Sequence, residues 1–228
     1  AAGGLGALAA TKPVQWALDI ADWRAVFVAV AVMTAVCAVA LLVVVPDDRP
    51  QGPKPSARAL IAGVRRIFAS GLFKRVAPLT VASQASFLAI QGLWTGPWLT
   101  TVEGLARPQA VGIQQAIAAA MIAGFLFMGW LAARLSRLGI PPMTTALAGM
   151  GLFMAAQGLV LAGPYAEPVW PWLAFGFFGT TGILPYAALS QRFPAALAGR
   201  VNTALNVLVF VAAFAAQWGI GGVIRLWQ

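Results

Sequence analysis

Apolar stretches of about 20 residues, the length that crosses the hydrocarbon core as a helix, recur along the whole chain and are separated by polar segments. Seven runs are expected to be spans: Ala1–Ile20, Ala25–Val45, Val76–Trp98, Ala110–Ala133, Met143–Gly163, Pro171–Ser190 and Val201–Ile224. Barrel strands would be shorter and would alternate, so the runs read as helices. Most loops are short and hold turn residues, such as ADWR at 21–24 and GPYAEPVWP at 163–171. The loop at 46–75 is long. It opens on the Pro-rich PDDRPQGPKPSA and continues as RALIAGVRRIFASGLFKR. There Leu60, Ile61, Val64, Ile67 and Phe68 recur at helical spacing beside Arg58, Arg65 and Arg66. That pattern predicts an amphipathic helix on the membrane surface.

Composition supports a lipid-facing chain. Of 228 residues, 61% are hydrophobic and only 9% are charged, against about 25% charged in a soluble domain. The formal charge of +9 does not point to nucleic acid, because the basic residues sit at the ends of apolar runs rather than on a polar, aromatic face. Cys37 is the single cysteine and there is no histidine. An intrachain disulfide, a cysteine metal cluster and any Ser-His-Asp or Cys-His set are thereby excluded. No cofactor and no metal are expected, and an enzymatic role is not. The chain opens on Ala1 with no signal-type n-region, apolar region and cleavage site, and is expected to be a piece of a longer protein.

Charge also sets orientation, since cytoplasmic loops are enriched in Lys and Arg. With alternating spans, one side holds eleven basic residues, from Arg49 through the linker to Arg134, Arg137, Arg192 and Arg200. The other side holds three, Arg24, Arg107 and Arg225. The long loop is therefore expected in the cytoplasm. Trp23, Trp94, Trp98, Trp170, Trp172 and Trp227 fall near the outer ends of runs, as an aromatic belt would have them.

Residues 129–139 read GWLAARLSRLG. This string resembles the loop motif of the major facilitator superfamily, with Gly129, Leu131, Arg134 and Arg137 matching. Ala133 stands where the family has an aspartate and Ser136 where it has a second glycine. GGLGALAATKPVQWALDIADWRAVF is similar to the family's helix 5 and the start of helix 6. FLAIQGLWTGPWL resembles helix 7, and FPAALAGRVNTALNVLVFVAAFAAQWGIGGVI resembles the 10–11 loop and helix 11. The implied architecture is an all-α polytopic membrane protein of about seven transmembrane helices, part of a twelve-helix fold in two halves and covering about helices 5 to 11. On that reading residues 1–45 are the last two helices of the N-terminal half. Residues 46–75 are the cytoplasmic linker with its amphipathic helix, and 76–228 are the first five helices of the C-terminal half. The motif Gly129, Arg134 and Arg137 would then brace helix ends while the halves rock; the plainer alternative is that the arginines anchor a helix end.

Polar side chains inside a bilayer are costly and usually face a bundle interior or cavity. The run Ala25–Val45 has almost none, only Thr34 and Cys37, and reads as an outer, lipid-facing helix. The other runs carry Gln84, Gln91 and Trp94 on one helix face, then Gln114 and Gln115, Tyr186, and the stripe Asn202, Asn206, Phe210, Ala213 and Gln217. By resemblance, helices 5, 7, 8, 10 and 11 line a central cavity, which makes Lys12, Gln84, Gln91, Trp94, Gln115, Tyr186 and Asn206 the candidate substrate contacts. The competing reading is that these amides only tie helices together, at about 0.6 kcal/mol each. It stays open for Gln91 and Asn206 and is preferred for Asn202. Gly176, Gly179 and Gly182, with Pro185, read as packing and bending positions. All six acids lie in loops or at helix ends, so a carboxylate proton carrier would have to come from other helices.

Lys12 is the one charged residue well inside a run. It lies roughly 15 Å below the outer boundary at 1.5 Å per residue, and a central lysine costs about 2.5 to 3.5 kcal/mol on insertion scales. Three readings compete: an anionic substrate group, a carboxylate on another helix, or snorkelling to water. The function these features imply is secondary active transport of a small solute by alternating access, with an anionic solute and proton or ion coupling both left open. The setting is the bilayer of a bacterial inner membrane, crossed many times by a protein that works as a monomer at full length. The alternatives are a seven-helix membrane receptor and a membrane-embedded enzyme. The topology has a direct test. Cysteines placed singly at Gln51 and Ala166 in a Cys37→Ala background should react oppositely with an impermeant maleimide on intact cells, Ala166→Cys labelled and Gln51→Cys protected. The converse pattern would invert the orientation.

Overall fold

The computed structural model describes residues 6, 8–45, 56–163, 165 and 167–227, with only the backbone described at Lys12 and Trp227. Among the described residues the chain is helical throughout. Helix α1 is Lys12–Ile20, α2 Trp23–Val44 and α3 Ala57–Ala69. Helix α4, Gly71–Ala89, runs on without a break through two π-helical turns, Ile90–Trp94 and Trp98–Val102. Helix α5 is Arg107–Arg137 and α6 Pro142–Leu161. Helix α7, Val169–Gly179, passes through a 3-10 turn at Thr180–Ile183 into α8, Leu184–Arg192. The last helix is α9, Ala195–Trp227.

Six of these segments are long and apolar enough to cross a membrane: Trp23–Val44, Gly71–Val102, Arg107–Arg137, Pro142–Leu161, Val169–Arg192 and Ala195–Leu226. They match six of the seven expected runs. The remaining run, Ala1–Ile20, lies partly outside the described residues, and its second half is α1. The helix α1 starts at Lys12 after a turn at Ala10–Thr11. Pro13 explains the start, because proline has no N–H to donate and suits only the first helical turn. Lys12 thus sits where a helix restarts after a turn, with Gly6, Leu8 and Ala9 helical before it. The third run also begins earlier than its hydropathy indicates, at Gly71, with Lys74 and Arg75 in its opening turns.

Helix α5 packs on α7, α6 on α7, α4 on α9 and α8 on α9, while α1 touches α2 and α5. Helix α2 behaves differently: every residue from Phe27 to Val44 is exposed. Its single threonine hydroxyl, at Thr34, donates to the Val30 carbonyl at 2.8 Å and so needs no neighbouring helix. The bundle holds two apolar clusters. One gathers Phe87, Leu99, Ile117, Phe153, Trp172 and Phe175, with ring centroids of Phe153 and Trp172 at 5.2 and 5.4 Å from Phe175. The other gathers Ile67, Phe73, Ala77, Leu189, Val201 and Leu205 at the opposite end of the spans. Trp172 therefore belongs to the core and not to an interfacial belt, whereas Trp23 and Trp170 stay exposed.

Lipid tails are as apolar as leucine, so spans associate through close van der Waals contact, which small residues permit. Helix α7 is the central case. A Cβ at Gly176 would stand 2.8 Å from the Ile117 carbonyl oxygen, and one at Gly179 would enter the Phe87 ring. Gly151, by contrast, has nothing within 4 Å of such a Cβ. Gly179→Ala should therefore lower the thermal midpoint of the detergent-purified protein, in line with the roughly 1–3 kcal/mol cost of overpacking a core. Gly151→Ala should leave it unchanged or raised. Equal midpoints for the two variants would contradict this account of the seam.

Candidate functional site

A chamber of about 420 Å³ opens between α4, α5, the α7–α8 segment and α9. Its polar lining comes from Gln84 on α4, Thr180 and Tyr186 on α7–α8, and Asn202 and Asn206 on α9; Phe87, Phe125 and Phe210 supply aromatic walls. Helical spacing accounts for the grouping. Asn202, Asn206, Val209 and Phe210 recur at three- and four-residue intervals, which places them on one face of α9. Gln84, Phe87 and Leu88 do the same on α4.

The α7–α8 wall is shaped by a break in regular helix. Pro185 has no N–H to offer the preceding turn and stands at the start of α8, just after the 3-10 turn Thr180–Ile183. The hydroxyls of Thr180 and Thr181 donate to the Phe177 and Phe178 carbonyls at 2.7 Å each, so the polar groups around the bend are satisfied locally. Gly182 has no side chain, and the Gln84 amide lies against the backbone there. Asn202 Oδ1 is buried and has no donor. A buried acceptor without a donor costs about 1–3 kcal/mol, and a ligand N–H or O–H in the chamber would relieve that cost.

Two further cavities flank this one. A polar cavity of about 370 Å³ is lined by Thr11, Gln91, Gly92, Thr95, Gln114 and Ile117, between the start of α1, the π-helical part of α4 and α5. Gln91 stands seven residues beyond Gln84, roughly 10 Å farther along the helix. On the facing helix the Gln217 amide nitrogen lies 3.7 Å from where a Gly92 Cβ would be. The third cavity, about 550 Å³, is the largest of these three and is apolar. Trp94, Trp98, Trp172, Phe175, Ile220 and Ile224 lie on its wall, and the Trp94 indole nitrogen is buried there without an acceptor. Size alone would favour this cavity. The polar convergence that could orient a solute is in the other two.

The expected contact residues are thus divided. Gln84, Tyr186 and Asn206 meet in one chamber, Gln91 lies in the next, and Trp94 faces the apolar cavity. Gln115 is half-buried on α5 but lines none of the three; Gln114 takes that place. The Lys12 side chain lies outside the described residues. Asn202, read from sequence as a packing amide, lines the chamber. On α4 the division follows from the distance along the axis between Gln84 and Gln91 and from adjoining faces, Ile90 and Trp94 on one and Gln91 and Thr95 on the next.

Gly129, Arg134 and Arg137 occupy the end of α5. Arg134 and Arg137 lie in its last turn, where positive charge complements the helix dipole. The Arg134 guanidinium stands 5.7 Å from the Trp130 ring centroid and is exposed, and a Cβ at Gly129 would meet only open space. Among the described residues the recorded ion pair is Arg24–Asp22, at 3.1 Å on the opposite side of the bundle. No group of three His, Cys, Asp or Glu side chains among the described residues could hold a metal ion.

Comparison with curated proteins and with solved structures finds no match to this chain. The model of the Major Facilitator Superfamily matches residues 1–217, which takes in the spans up to Gln217 in the last of them and all the residues that line the chamber. With an all-helical bundle of membrane-spanning segments around polar cavities, and a family match over nearly its whole length, the chain belongs to the Major Facilitator Superfamily of transporter-type membrane proteins.

Proposed function

We propose that this chain is part of a secondary active transporter that carries a small solute by alternating access across a bacterial inner membrane, acting as a monomer. The observation that supports this most directly is the chamber in which Gln84, Tyr186, Asn202 and Asn206 converge from three helices, with an unpaired buried acceptor at Asn202. Amides and a phenol can hydrogen-bond a solute without the desolvation cost of a fixed charge. Gln91 and Gln114 form a second polar station farther along α4. A solute would be handed between the two stations as the bundle tilts about its irregular turns, the π-helical turns in α4 and the 3-10 turn before Pro185. The stations carry no charged side chain among the described residues. They therefore suit the uncharged, hydrogen-bonding part of a solute, and an anionic group on it would fall to Lys12. Coupling to protons or another ion completes the proposal.

Access to the chamber is the first test. A cysteine at Asn206, in a Cys37→Ala background, should react with a charged methanethiosulfonate from either side of the membrane in right-side-out and inverted vesicles. Reaction from neither side would remove the chamber from the transport path. Once a transported solute is in hand, Asn206→Leu should weaken its apparent affinity about five- to tenfold, the loss expected for roughly one buried hydrogen bond.

The arginine motif has a separate readout. If Arg134 braces a helix end during rocking, Arg134→Gln lowers the maximal transport rate while the apparent affinity changes little. An unchanged rate at unchanged protein level would leave only its stacking on Trp130 and its anchoring of α5.

A further inference from the structure

Helix α3 divides into three faces. At roughly 100° per residue, Gly63 and Ile67 fall on one side, Val64, Phe68 and Ile61 on a second, and Arg58, Arg65 and Arg66 on a third. The first face is docked on the protein. Ile67 is completely buried against Phe73, Leu189, Val201 and Leu205, and a Cβ at Gly63 would stand 2.6 Å from Arg200 Nη1 and 3.3 Å from Leu197. The helix is fixed at its start by Ser56, whose hydroxyl accepts from the Ala59 N–H at 3.2 Å. The second face is apolar yet uncovered: Ile61 is 69% exposed, and Val64 and Phe68 remain open. The third face is cationic and exposed.

With the docked face set against the bundle, the apolar and basic faces lie side by side on the rest of the helix, Ile61 neighbouring Arg58 and Arg65 at three- and four-residue spacing. That is the arrangement of a helix lying in a membrane interface, apolar arc towards the acyl chains and basic arc towards headgroups. The charge balance around it identifies the lipid. Lys74, Arg75, Arg192 and Arg200 lie in or beside the same end of the bundle, and the described acidic residues Asp19, Asp22, Glu103 and Glu167 lie at the ends of α1 and α2 or in the loops at the far end. Glu103 and Gly163 meet there, with Glu103 Oε1 3.7 Å from the Gly163 Cβ position. The sequence between α2 and α3 adds Asp47 and Asp48 together with Arg49 and Lys54, so cations still outnumber anions on this side; such an excess attracts anionic headgroups, and each surface arginine adds measurably to that attraction.

We infer that α3 is a docking surface for acidic phospholipid, with Ile61, Val64 and Phe68 inserted into the leaflet and Arg58, Arg65 and Arg66 holding lipid phosphates. The inference does not depend on which solute the chamber carries. It is tested on the whole protein reconstituted in nanodiscs of phosphatidylcholine alone or with phosphatidylglycerol. An environment-sensitive fluorophore is attached to Ile61→Cys in a Cys37→Ala background. Phosphatidylglycerol should shift its emission to the blue and protect it from aqueous iodide, while a label at Ala62 on the basic arc stays accessible. Replacing the arginines with glutamine one after another should lower the ratio of inserted to exposed label about fivefold per residue. Arg→Lys versions, which keep the charge, should retain the effect, and high salt should weaken it in the otherwise unaltered protein. Equal protection in both lipids would mean that protein, or the apolar arc alone, covers Ile61. An accessible label in both would mean that the face is not in the membrane. Either result overturns the proposal.

Discussion

The lack of any difference in apolarity between lipid and leucine governs this molecule. In water a helix buries its apolar face and that burial alone drives packing; in a bilayer it does not. What draws these spans together is close approach, and the approach is concentrated on the α7–α8 segment. Gly176 admits the Ile117 carbonyl, Gly179 admits the Phe87 ring, and Gly182 admits the Gln84 amide. The same segment receives α6, where Gly149 makes room for Thr181. Residues that close the seam thus stand one turn or less from residues that line the chamber. Packing and the site are built by the same few side chains.

The extent to which the sequence was readable follows from that constraint. Span number and position were legible because a bilayer fixes the length of an apolar run, so six expected runs reappear as helices with ends moved by a few residues. The exposure of α2 was legible too, since from Ala25 to Val45 its only polar side chains are Thr34 and Cys37, and it has no amide with which to bond a neighbour. The phase of each span was harder to read. Hydropathy cannot say which apolar face looks inward when both faces are apolar, and so Trp172 was indistinguishable from an interfacial tryptophan, and Gln115 from Gln114. On α4, Ile90 and Trp94 share one face and Gln91 and Thr95 the adjoining one, so residues only three apart open on different cavities. Pro13 was visible in the sequence, and its preference for a first helical turn places Lys12 where α1 starts.

Irregular turns are also where the bundle can change shape. A regular helix resists bending because each turn is held by the bonds of its neighbours. At Thr180–Ile183 and around Ile90–Val102 those bonds are wider or tighter than α-helical, and threonine hydroxyls cover some of the exposed carbonyls: Thr180 and Thr181 on one segment, Thr95 with the Ile90 carbonyl at 2.9 Å on the other. Both irregular stretches border a polar cavity. Flexing them would alter the chamber walls without breaking a buried hydrogen bond, since the substitutes are local and move with the turn.

Helix α3 adds a mechanical link to the same region. Ile67 packs against Leu189 on α8 and against Val201 and Leu205 on α9. Those two helices carry Tyr186, Asn202 and Asn206 into the chamber. Leu189 is three residues from Tyr186, and Val201 and Leu205 each precede a chamber asparagine. A force on α3 therefore arrives within one helical turn of the polar set, through side chains with no free volume to absorb it: Ile67, Leu189, Val201 and Leu205 are all fully buried. Close-packed contacts of this kind transmit displacement rather than damp it. Whatever holds α3 in place thereby acts on the shape of the chamber as well.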